Sequence, residues 1–313
     1  MRHKGFFSGF YVFLAGLCLI MATAGVSHAE ATDAQALAEQ ISAADLAHYG
    51  SARSLGLRSS AALVWDQREG VMLYGHNIDQ QRPIASVTKL MTAMVTLDAR
   101  LPMDEEITLV AQDRDNLRGS SSRLPIGSVL TRHDLLLAAL AASDNRAASA
   151  LARSYPGGRP AMLRAMNDKA RQLGMKHTHY ADPAGLDSDS VSTAQDLAIM
   201  AIAAAKYRPI QDFTTTGTFA VSDHRRRGRA ISLMNTNRLV RSSDWDINLS
   251  KTGYINEAGN CLVMQAMIGD RPVIVVLLNS WGKLSKYGDA NRIRDWLIKT
   301  ERRALMARAD APA

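Results

Sequence analysis

The sequence predicts an α+β fold in which both ends of the chain contribute strands to one antiparallel sheet. Two strands, expected at 61–66 and 70–74, precede a long helical stretch, and further strands with a closing helix follow it. A Gly-Asp-Arg-Pro turn at 269–272 joins two of the later strands as an antiparallel hairpin. We therefore expect a sheet flanked by helices and interrupted in sequence by a helical insertion at about 90–212.

Apolar spacing, caps and turns place the remaining elements along the chain. Helical periodicity predicts helices over about 86–100, 130–152 (with a break near 143), 161–173, 193–205 and 291–308. Alternation of apolar residues predicts strands over 214–221, 231–233, 249–254, 261–268 and 273–278. The basic run at 224–229 lies between two of these strands, so we interpret it as a solvated turn rather than as a site for nucleic acid.

The composition is that of a globular protein. The 313 residues are 47% hydrophobic and 21% charged, which is enough to bury a large core. Of the two cysteines, Cys18 lies in the N-terminal apolar run and Cys261 lies in a predicted strand. If the N-terminal run is removed, no internal disulfide is possible, and we interpret Cys261 as a packing residue.

The N-terminus has the pattern of a cleaved export signal. Basic residues at 2–4 precede an apolar run at 10–22, and small residues follow as far as Ala29. The run is too short to span a bilayer as a stable helix, and Ser27-His28-Ala29 is typical of a cleavage site. We expect residues 1–29 to be removed on export, with an uncleaved anchor as the alternative, and residues 30–56 to form a lead segment.

The first candidate catalytic group is the pair Ser86 and Lys89, at the start of the helix expected over 86–100. Residues three apart on a helix share a face, so the Lys89 ammonium is expected beside the Ser86 hydroxyl. A serine hydroxyl is a poor nucleophile unless a base takes its proton, and a partly desolvated lysine can be that base. Alone, the pair is weak evidence, because it is much more often an ordinary helix cap followed by a solvated lysine.

Two further polar motifs interrupt apolar stretches. Ser143-Asp144-Asn145 separates two Ala-rich helical segments, where it can direct a hydroxyl and an amide into a cleft or simply join two helices. Lys251-Thr252-Gly253 lies in a predicted strand and is followed by Tyr254. A cation and a hydroxyl on a strand can bind a substrate carboxylate, and Gly253 lets a ligand approach the backbone closely.

Together, the three motifs carry a resemblance to a known family. S-x-x-K, S-D-N and K-T-G occur here in the order found in penicillin-binding proteins and class A β-lactamases. Over about residues 57–300 the chain resembles the low-molecular-mass penicillin-binding proteins, which are D-alanyl-D-alanine peptidases of serine peptidase family S11. Within them it is most similar to the D-alanyl-D-alanine endopeptidases of the penicillin-binding protein 7/8 type. The more specific shared runs are 82–86, 97–102, 155–158, 235–237 and 251–254.

One position departs from the subgroup pattern. We associate the subgroup with glutamate in the middle of the second motif, whereas this chain has Asp144, as the wider family does. The departure concerns only the subgroup assignment. The resemblance implies a β-lactamase/DD-peptidase-like fold, with a catalytic domain over 57–300 and a short tail over 301–313.

The resemblance also implies an acyl-transfer mechanism with three catalytic residues. Ser86 is then the nucleophile and Lys89 the base that takes its proton. Ser143 passes a proton to the leaving amine together with Lys251. We further expect the pKa of Lys89 to be lowered by desolvation and by the nearby charge of Lys251.

The remaining residues implied by the resemblance bind substrate. Asn145 holds the acyl chain and orients the base, while Lys251 and Thr252 bind a carboxylate near the leaving group. Gly253 belongs to the same strand, and the backbone N–H groups of Tyr254 and of the nucleophile form an oxyanion hole. No cofactor or metal is implied, and His177-Thr178-His179 lacks the spacing of a zinc peptidase.

Export signal and resemblance together predict a periplasmic enzyme that acts on peptidoglycan stem peptides. Hydrolysis of D-alanyl–diaminopimelate cross-links is preferred over removal of terminal D-alanine by a carboxypeptidase of the same family. The reason, beside subgroup similarity, is that the related carboxypeptidases are expected to carry an extra C-terminal β-domain and a membrane-binding end. Only a terminal helix and tail follow the catalytic body here, so at most loose membrane association is expected, and no binding of nucleic acid.

Two other functions remain as alternatives. A class A β-lactamase needs a glutamate base after the second motif, and residues 146–200 contain no glutamate. β-Lactams are therefore expected to act as covalent inhibitors rather than as substrates. A scaffold that holds peptidoglycan without cutting it would not need Ser86, Lys89 and Lys251 together.

Overall fold

The structure is a computed structural model that describes residues 41–52, 55–226 and 229–310. The predicted export signal at 1–29 lies outside the described residues. The helices, numbered in chain order, are α1 (Ala43–Tyr49), α2 (Lys89–Asp98), α3 (Arg132–Leu140), α4 (Asn145–Arg153), α5 (Gly158–Gln172), α6 (Ala194–Ala204), α7 (Arg208–Thr215) and α8 (Ser285–Ala309). The strands are β1 (Ser59–Asp66), β2 (Val71–His76), β3 (Arg82–Pro83), β4 (Glu106–Thr108), β5 (Val129–Thr131), β6 (Val191–Ser192), β7 (Thr218–Asp223), β8 (Arg229–Met234), β9 (Asp246–Ile255), β10 (Gly259–Ile268) and β11 (Arg271–Ser280).

The main sheet is antiparallel and has the strand order β2-β1-β11-β10-β9. Strand β1 from the N-terminal part pairs with β11 from the C-terminal part, with Ala61 opposite Leu278. The prediction that both chain ends build one sheet is thus confirmed. Consecutive residues of β11 from Val273 to Leu278 are buried, which means that both faces of the sheet are covered. Helices α6 and α8 both pack against β1, β10 and β11.

Helix α2 occupies the middle of the helical insertion. It contacts α3, α4, α5, α6 and α7, and every residue from Lys89 to Thr96 is buried. A helix buried on all sides has little amphipathic pattern, in agreement with the mostly apolar run Leu90–Val95. The first residue of this buried helix is a lysine, so the insertion places a cationic side chain in a dry environment.

The order of the elements agrees with the sequence prediction, but one helix and several short strands were missed. Residues 208–215 form α7, and the strand predicted over 214–221 begins only at Thr218. Pro209 lies at the start of α7, where a proline costs no hydrogen bond. Ile210, Phe213 and Thr214 are its buried residues. The pairs β3–β6 and β4–β5 are too short to leave a periodic pattern.

The C-terminal helix is longer than predicted. It begins at Ser285 rather than at 291 and continues to Ala309, so most of the predicted tail at 301–313 is helical. Helix α1, within the predicted lead segment, packs against α8. Within the described ranges, no helix is both long and apolar enough to cross a membrane.

A buried arginine ties the β10–β11 hairpin to the rest of the fold. Arg271 is fully buried and contacts three carboxylates: those of Asp66, of Glu69 at 3.1 Å and of Glu301 at 3.3 Å. Asp66 is fully buried as well. Charges in such an environment are tolerated because each has an opposite charge beside it. The cluster therefore joins β1, β11 and α8.

We expect Arg271→Gln to destabilise the protein by about 3–5 kcal/mol, because it leaves a buried carboxylate without its cation. For a domain of this size the melting temperature should fall by roughly 10 °C. Arg208→Gln is the matched control, because Arg208 forms a solvent-exposed pair with Asp212 that is worth about 1 kcal/mol or less. Thermal unfolding followed by circular dichroism would measure both variants. Equal melting temperatures for the two would contradict the importance of the buried cluster.

Candidate active site

Ser86 lies in a tight turn that leads directly into α2. Residues Ala85–Thr88 form one turn of 3-10 helix, and α2 begins at Lys89. The sequence predicted an α-helix from Ser86 onward. Residues three apart lie side by side in a 3-10 helix as well as in an α-helix, so the predicted contact is unchanged. The Lys89 Nζ atom donates a hydrogen bond of 2.7 Å to Ser86 Oγ.

The backbone of this turn is strained at Ala85, which has a φ angle of +49°. A residue with a Cβ atom rarely adopts this left-handed conformation, and it persists only when surrounding structure imposes it. Gly185 and Gly253, from two other parts of the chain, both lie against the turn. The position of the Ser86 hydroxyl is thus set by tertiary contacts.

Lys89 is almost fully buried, with 1% of its surface exposed. Besides Ser86, its Nζ atom donates to Asn145 Oδ1 at 2.6 Å and to the Ala184 carbonyl oxygen at 2.8 Å. Burial lowers the pKa of Lys89 to about 8, although the nearby carboxylates, foremost that of Asp182, raise it in part. A lysine with this pKa can give and take a proton near neutral pH.

The second motif joins α3 to α4. Ser143 has a φ angle of +57°, another left-handed non-glycine residue. Asp144 caps α4 by accepting a 2.9 Å hydrogen bond from the backbone N–H of Ala147, and it accepts another from Ser122 Oγ at 2.6 Å. Its carboxylate thus holds the loop in place, and the neighbouring Ser143 and Asn145 point to the cleft.

The third motif lies on β9, at the edge of the main sheet. Lys251 is buried, and its Nζ atom donates to Ser143 Oγ at 2.8 Å and to the Thr252 carbonyl oxygen at 2.9 Å. Burial lowers the pKa of Lys251 well below its ordinary value, and the charge of Lys89 lowers it further. Repulsion between two cations is mutual, so the proximity of the two lysines disfavours a positive charge on both at once. Carboxylates near Lys89, foremost that of Asp182, oppose this effect there.

Gly253 allows β9 to lie directly against the nucleophile turn. A Cβ atom at this position would come within 2.9 Å of the Ile84 carbonyl oxygen and 3.1 Å of the Ser86 nitrogen. The sequence suggested that this glycine admits a ligand backbone, whereas the space that it leaves is filled by the turn itself. The next residue, Tyr254, has an exposed side chain at the rim of the cleft.

The loop at 182–187 supplies contacts that sequence reasoning did not assign. The carboxylate of Asp182 accepts backbone hydrogen bonds of 3.0 Å each from Ala184, Gly185 and Leu186, which folds the loop around it. The Ala184 carbonyl oxygen then meets Lys89. The run Asp-Pro-Ala-Gly-Leu-Asp is rich in residues that form turns, but no local pattern indicates that one of its carbonyl groups reaches a lysine on α2.

The hydroxyl groups of Thr236 and Ser120 contact two of the predicted substrate-binding residues. Thr236 Oγ1 lies 2.7 Å from Thr252 Oγ1, and Ser120 Oγ accepts a 2.7 Å hydrogen bond from Asn145 Nδ2. Thr236 lies within a run that resembles the family, whereas Ser120 stands in a polar loop without any distinguishing signal. Both orient a residue that the sequence did predict to bind substrate.

Residues of all three motifs line one cleft of about 1170 Å³. Ser86, Ser143, Asn145, Thr252 and Tyr254 line it. Two hydroxyls, each hydrogen-bonded to a buried lysine with a lowered pKa, face the same space. Such an arrangement can activate one hydroxyl as a nucleophile and use the other to transfer a proton.

Comparison with known proteins identifies a family of peptidases, in agreement with the geometry of the site. The peptidase S11 family model, described as D-alanyl-D-alanine carboxypeptidase, matches residues 49–282. The D-alanyl-D-alanine endopeptidase of Pseudomonas aeruginosa is 45% identical over 82% of this chain and 82% of its own length. The D-alanyl-D-alanine endopeptidase of Escherichia coli is 42% identical over 77% of each chain.

Solved structures share the fold. The Streptomyces K15 DD-transpeptidase is 28% identical, with a TM-score of 0.70, over 77% of this chain and 97% of its own. Penicillin-binding protein D2 of Listeria monocytogenes, solved in an ampicillin-bound form, is 29% identical, with a TM-score of 0.66, over 78% and 98%. The predicted fold class is confirmed.

Proposed function

Because the chain belongs to peptidase family S11, we propose that it is a periplasmic serine D-alanyl-D-alanine endopeptidase that hydrolyses peptide cross-links of peptidoglycan. The observation that carries the proposal is the pair of hydroxyl–lysine contacts in one cleft, Lys89 with Ser86 at 2.7 Å and Lys251 with Ser143 at 2.8 Å. The endopeptidase is favoured over the carboxypeptidase because the relatives from Pseudomonas aeruginosa and Escherichia coli, at 45% and 42% identity, carry that name. Periplasmic location is supported by the N-terminal export pattern.

Acylation begins at Ser86. Its Oγ atom attacks the carbonyl carbon of a D-alanine residue, and the hydroxyl proton passes to the neutral amine of Lys89 across their hydrogen bond. The carbonyl oxygen becomes an oxyanion, which the backbone N–H groups of Ser86 and Tyr254 stabilise. Each such donor is typically worth about 3 kcal/mol in the transition state.

Collapse of this intermediate releases the leaving amine. The C–N bond breaks while the nitrogen takes a proton from the Ser143 hydroxyl, and Lys251 returns a proton to Ser143. The acyl group stays on Ser86 as an ester. Asn145 holds the acyl chain. Water then hydrolyses the ester: its hydroxyl bonds to the acyl carbon, the C–O bond to Ser86 breaks, and a proton returns to Ser86 Oγ. Loss of the proton gained by Lys89 and uptake of one by Lys251 restore both amines for the next cycle.

Binding of a ligand changes which of the two lysines, Lys89 or Lys251, carries a proton. Burial disfavours charge on both, and their mutual repulsion disfavours two charges at once. A substrate carboxylate placed against Lys251 and Thr252 would favour the protonated form of Lys251. The charge there would in turn favour neutral Lys89, so binding of the substrate would itself prepare the base.

We expect the rate at which penicillin acylates Ser86 to rise with pH up to about 8 and then to level off. Only the neutral amine of Lys89 can accept the proton, and burial lowers its pKa to about 8; below this, the neutral fraction falls about tenfold per pH unit. Second-order acylation constants measured between about pH 6 and 9 would show the rise. A flat profile over that range would contradict Lys89 as the base.

Purified protein incubated with cross-linked muropeptide dimers tests the proposed activity. Conversion of dimers to monomers, lost in Ser86→Ala, is the expected result. Release of terminal D-alanine from pentapeptides with the dimers intact would instead assign the carboxypeptidase activity. A chromogenic cephalosporin separates the β-lactamase alternative. We expect a long-lived adduct on Ser86, because residues 146–200 contain no glutamate that could activate the hydrolytic water, and rapid turnover would contradict this.

A further inference from the structure

The cleft does not end at the catalytic groups but continues past Thr252 along a second wall. Beyond the contact between Thr252 and Thr236, the chain enters a short 3-10 helix, Arg238–Arg241. The start of α8 closes the wall from the other side, where the Tyr287 hydroxyl donates a 3.0 Å hydrogen bond to the Thr236 carbonyl oxygen. We call this part of the cleft, formed by Thr236, Arg238, Arg241, Leu284 and Tyr287, the cationic arm.

The charged side chains that line the cleft, among the residues that the structure describes, are all cationic. Among the described residues that line it there are no acidic side chains, and the cationic ones are Arg238, Arg241, Lys283 and Lys286. The Arg238 guanidinium lies over the Tyr287 ring at 5.9 Å, and Arg241 donates to the Asn235 carbonyl oxygen at 2.9 Å. Both arginines are exposed and contact neutral groups, so they keep donors available for an anionic ligand.

Large apolar side chains are exposed at the same place. Met234, Tyr254, Trp281 and Leu284 line the cleft with 52%, 59%, 77% and 59% of their surfaces exposed. Apolar side chains grouped with arginines around a concave surface are typical of a site that binds a peptide. The combination indicates a ligand that has carboxylates and also apolar parts.

The position of the arm identifies which part of the substrate reaches it. In the proposed mechanism, Ser143 and Lys251 protonate the leaving nitrogen, so the leaving group lies beside Thr252. The arm starts at Thr236, which contacts Thr252 at 2.7 Å. A single D-alanine would end at Thr252. A leaving group that is itself a peptide would extend into the arm.

We propose that the cationic arm binds the leaving peptide of a cross-link through the carboxylates of that peptide, and that it selects cross-links over terminal D-alanine. The inference rests on the proposed function and names the part of the substrate that gives specificity. A diaminopimelate leaving group keeps the carboxylates of its own stem peptide, whereas a leaving D-alanine has only one. Arg238 and Arg241 are the residues that determine this specificity.

Two substrates that form the same acyl-enzyme provide the test. A cross-linked dimer and a monomeric pentapeptide both leave a D-alanyl ester on Ser86 and differ only in the leaving group. We expect kcat/KM for the dimer to fall about tenfold in Arg238→Gln and in Arg241→Gln, and further in the double variant. Pentapeptide hydrolysis and penicillin acylation should stay within about twofold. The charge-keeping changes Arg238→Lys and Arg241→Lys should retain most dimer cleavage.

Arg164→Gln is the matched control, because Arg164 is an exposed arginine on α5 that lines a different groove; it should cleave both substrates as the wild type does. Equal losses on dimer and pentapeptide would overturn the inference, as would unchanged dimer cleavage in the double variant.

A second readout does not need cleavage and keeps the inference separate from the proposed function. A monomeric tetrapeptide with a free diaminopimelate amine, which is the leaving product, should slow the labelling of Ser86 by fluorescent penicillin. The concentration for half-protection should rise about tenfold or more in the double arginine variant. Protection that is equal in both proteins would overturn the inference even if dimers are cut. Conversely, intact dimers with arginine-dependent protection would contradict only the endopeptidase activity.

Discussion

Replacing Lys89 with arginine is expected to slow acylation by about a thousandfold or more, although the positive charge is kept. Arginine cannot lose its proton near neutral pH, so it cannot accept the proton of Ser86. Its planar guanidinium also does not fit the site, because the Lys89 Nζ atom is enclosed by three acceptors at 2.6–2.8 Å. The measurement is labelling by fluorescent penicillin over time.

Lys169→Arg is the control for this substitution. Lys169 lies on α5, where its Nζ atom donates to Asp98 at 2.8 Å and to the Tyr207 hydroxyl at 2.9 Å. Both are partners that arginine can also serve, so this variant should label at the wild-type rate. Melting temperatures of both variants show whether the fold is intact. Labelling of a folded Lys89→Arg protein at the wild-type rate would refute the assignment of Lys89 as the base.

Gly185→Ala is expected to abolish labelling and to destabilise the protein by roughly 4 kcal/mol or more. A methyl group on Gly185 would overlap the Ala85 carbonyl group and come within 2.8 Å of Thr88 Oγ1. The obstacle is backbone, which cannot rotate away as a flexible side chain can. Since Ala85 precedes the nucleophile, the loop and the turn would have to move apart, and the Ala184 carbonyl oxygen would leave Lys89.

Gly174→Ala separates this overlap from simple backbone strain. Gly174 has a φ angle of +80°, similar to the +74° of Gly185, but a Cβ atom there would meet nothing within 4 Å. Only the conformational strain, about 1 kcal/mol, should remain. This control should melt within a few degrees of the wild type and label normally. If the two alanine variants melt and label alike, the close packing of the loop on the nucleophile turn is wrong.

Features encoded by local pattern could be predicted from the sequence. The individual strands follow from apolar alternation, and the hairpin of β10 and β11 follows from one tight turn at 269–272. The contact between Ser86 and Lys89 follows from three-residue spacing on a helical turn. In these cases neighbours in sequence determine the outcome, whereas the sheet shared by both chain ends was expected only from the order of the elements.

Features that depend on distant contacts could not be predicted in this way. The Ala184 carbonyl oxygen reaches Lys89 from another loop, and the left-handed conformations of Ala85 and Ser143 exist because surrounding structure imposes them. The pKa of Lys89 illustrates the same limit. The lowering of this pKa follows from burial. The carboxylates that raise it in part, foremost that of Asp182, belong to loops whose position the sequence does not show.

The pairing of β1 with β11 also constrains when the protein can fold. Ala61 is paired with Leu278, so the central strands join residues at opposite ends of the chain, and contacts of such long sequence separation form slowly. Until the last strands are available, β1 and β2 form only a two-stranded hairpin, which is marginal in water. A chain exported N-terminus first, as proposed, would therefore stay unfolded while it crosses the membrane. Folding, and with it activity, would begin only after translocation of the C-terminal strands.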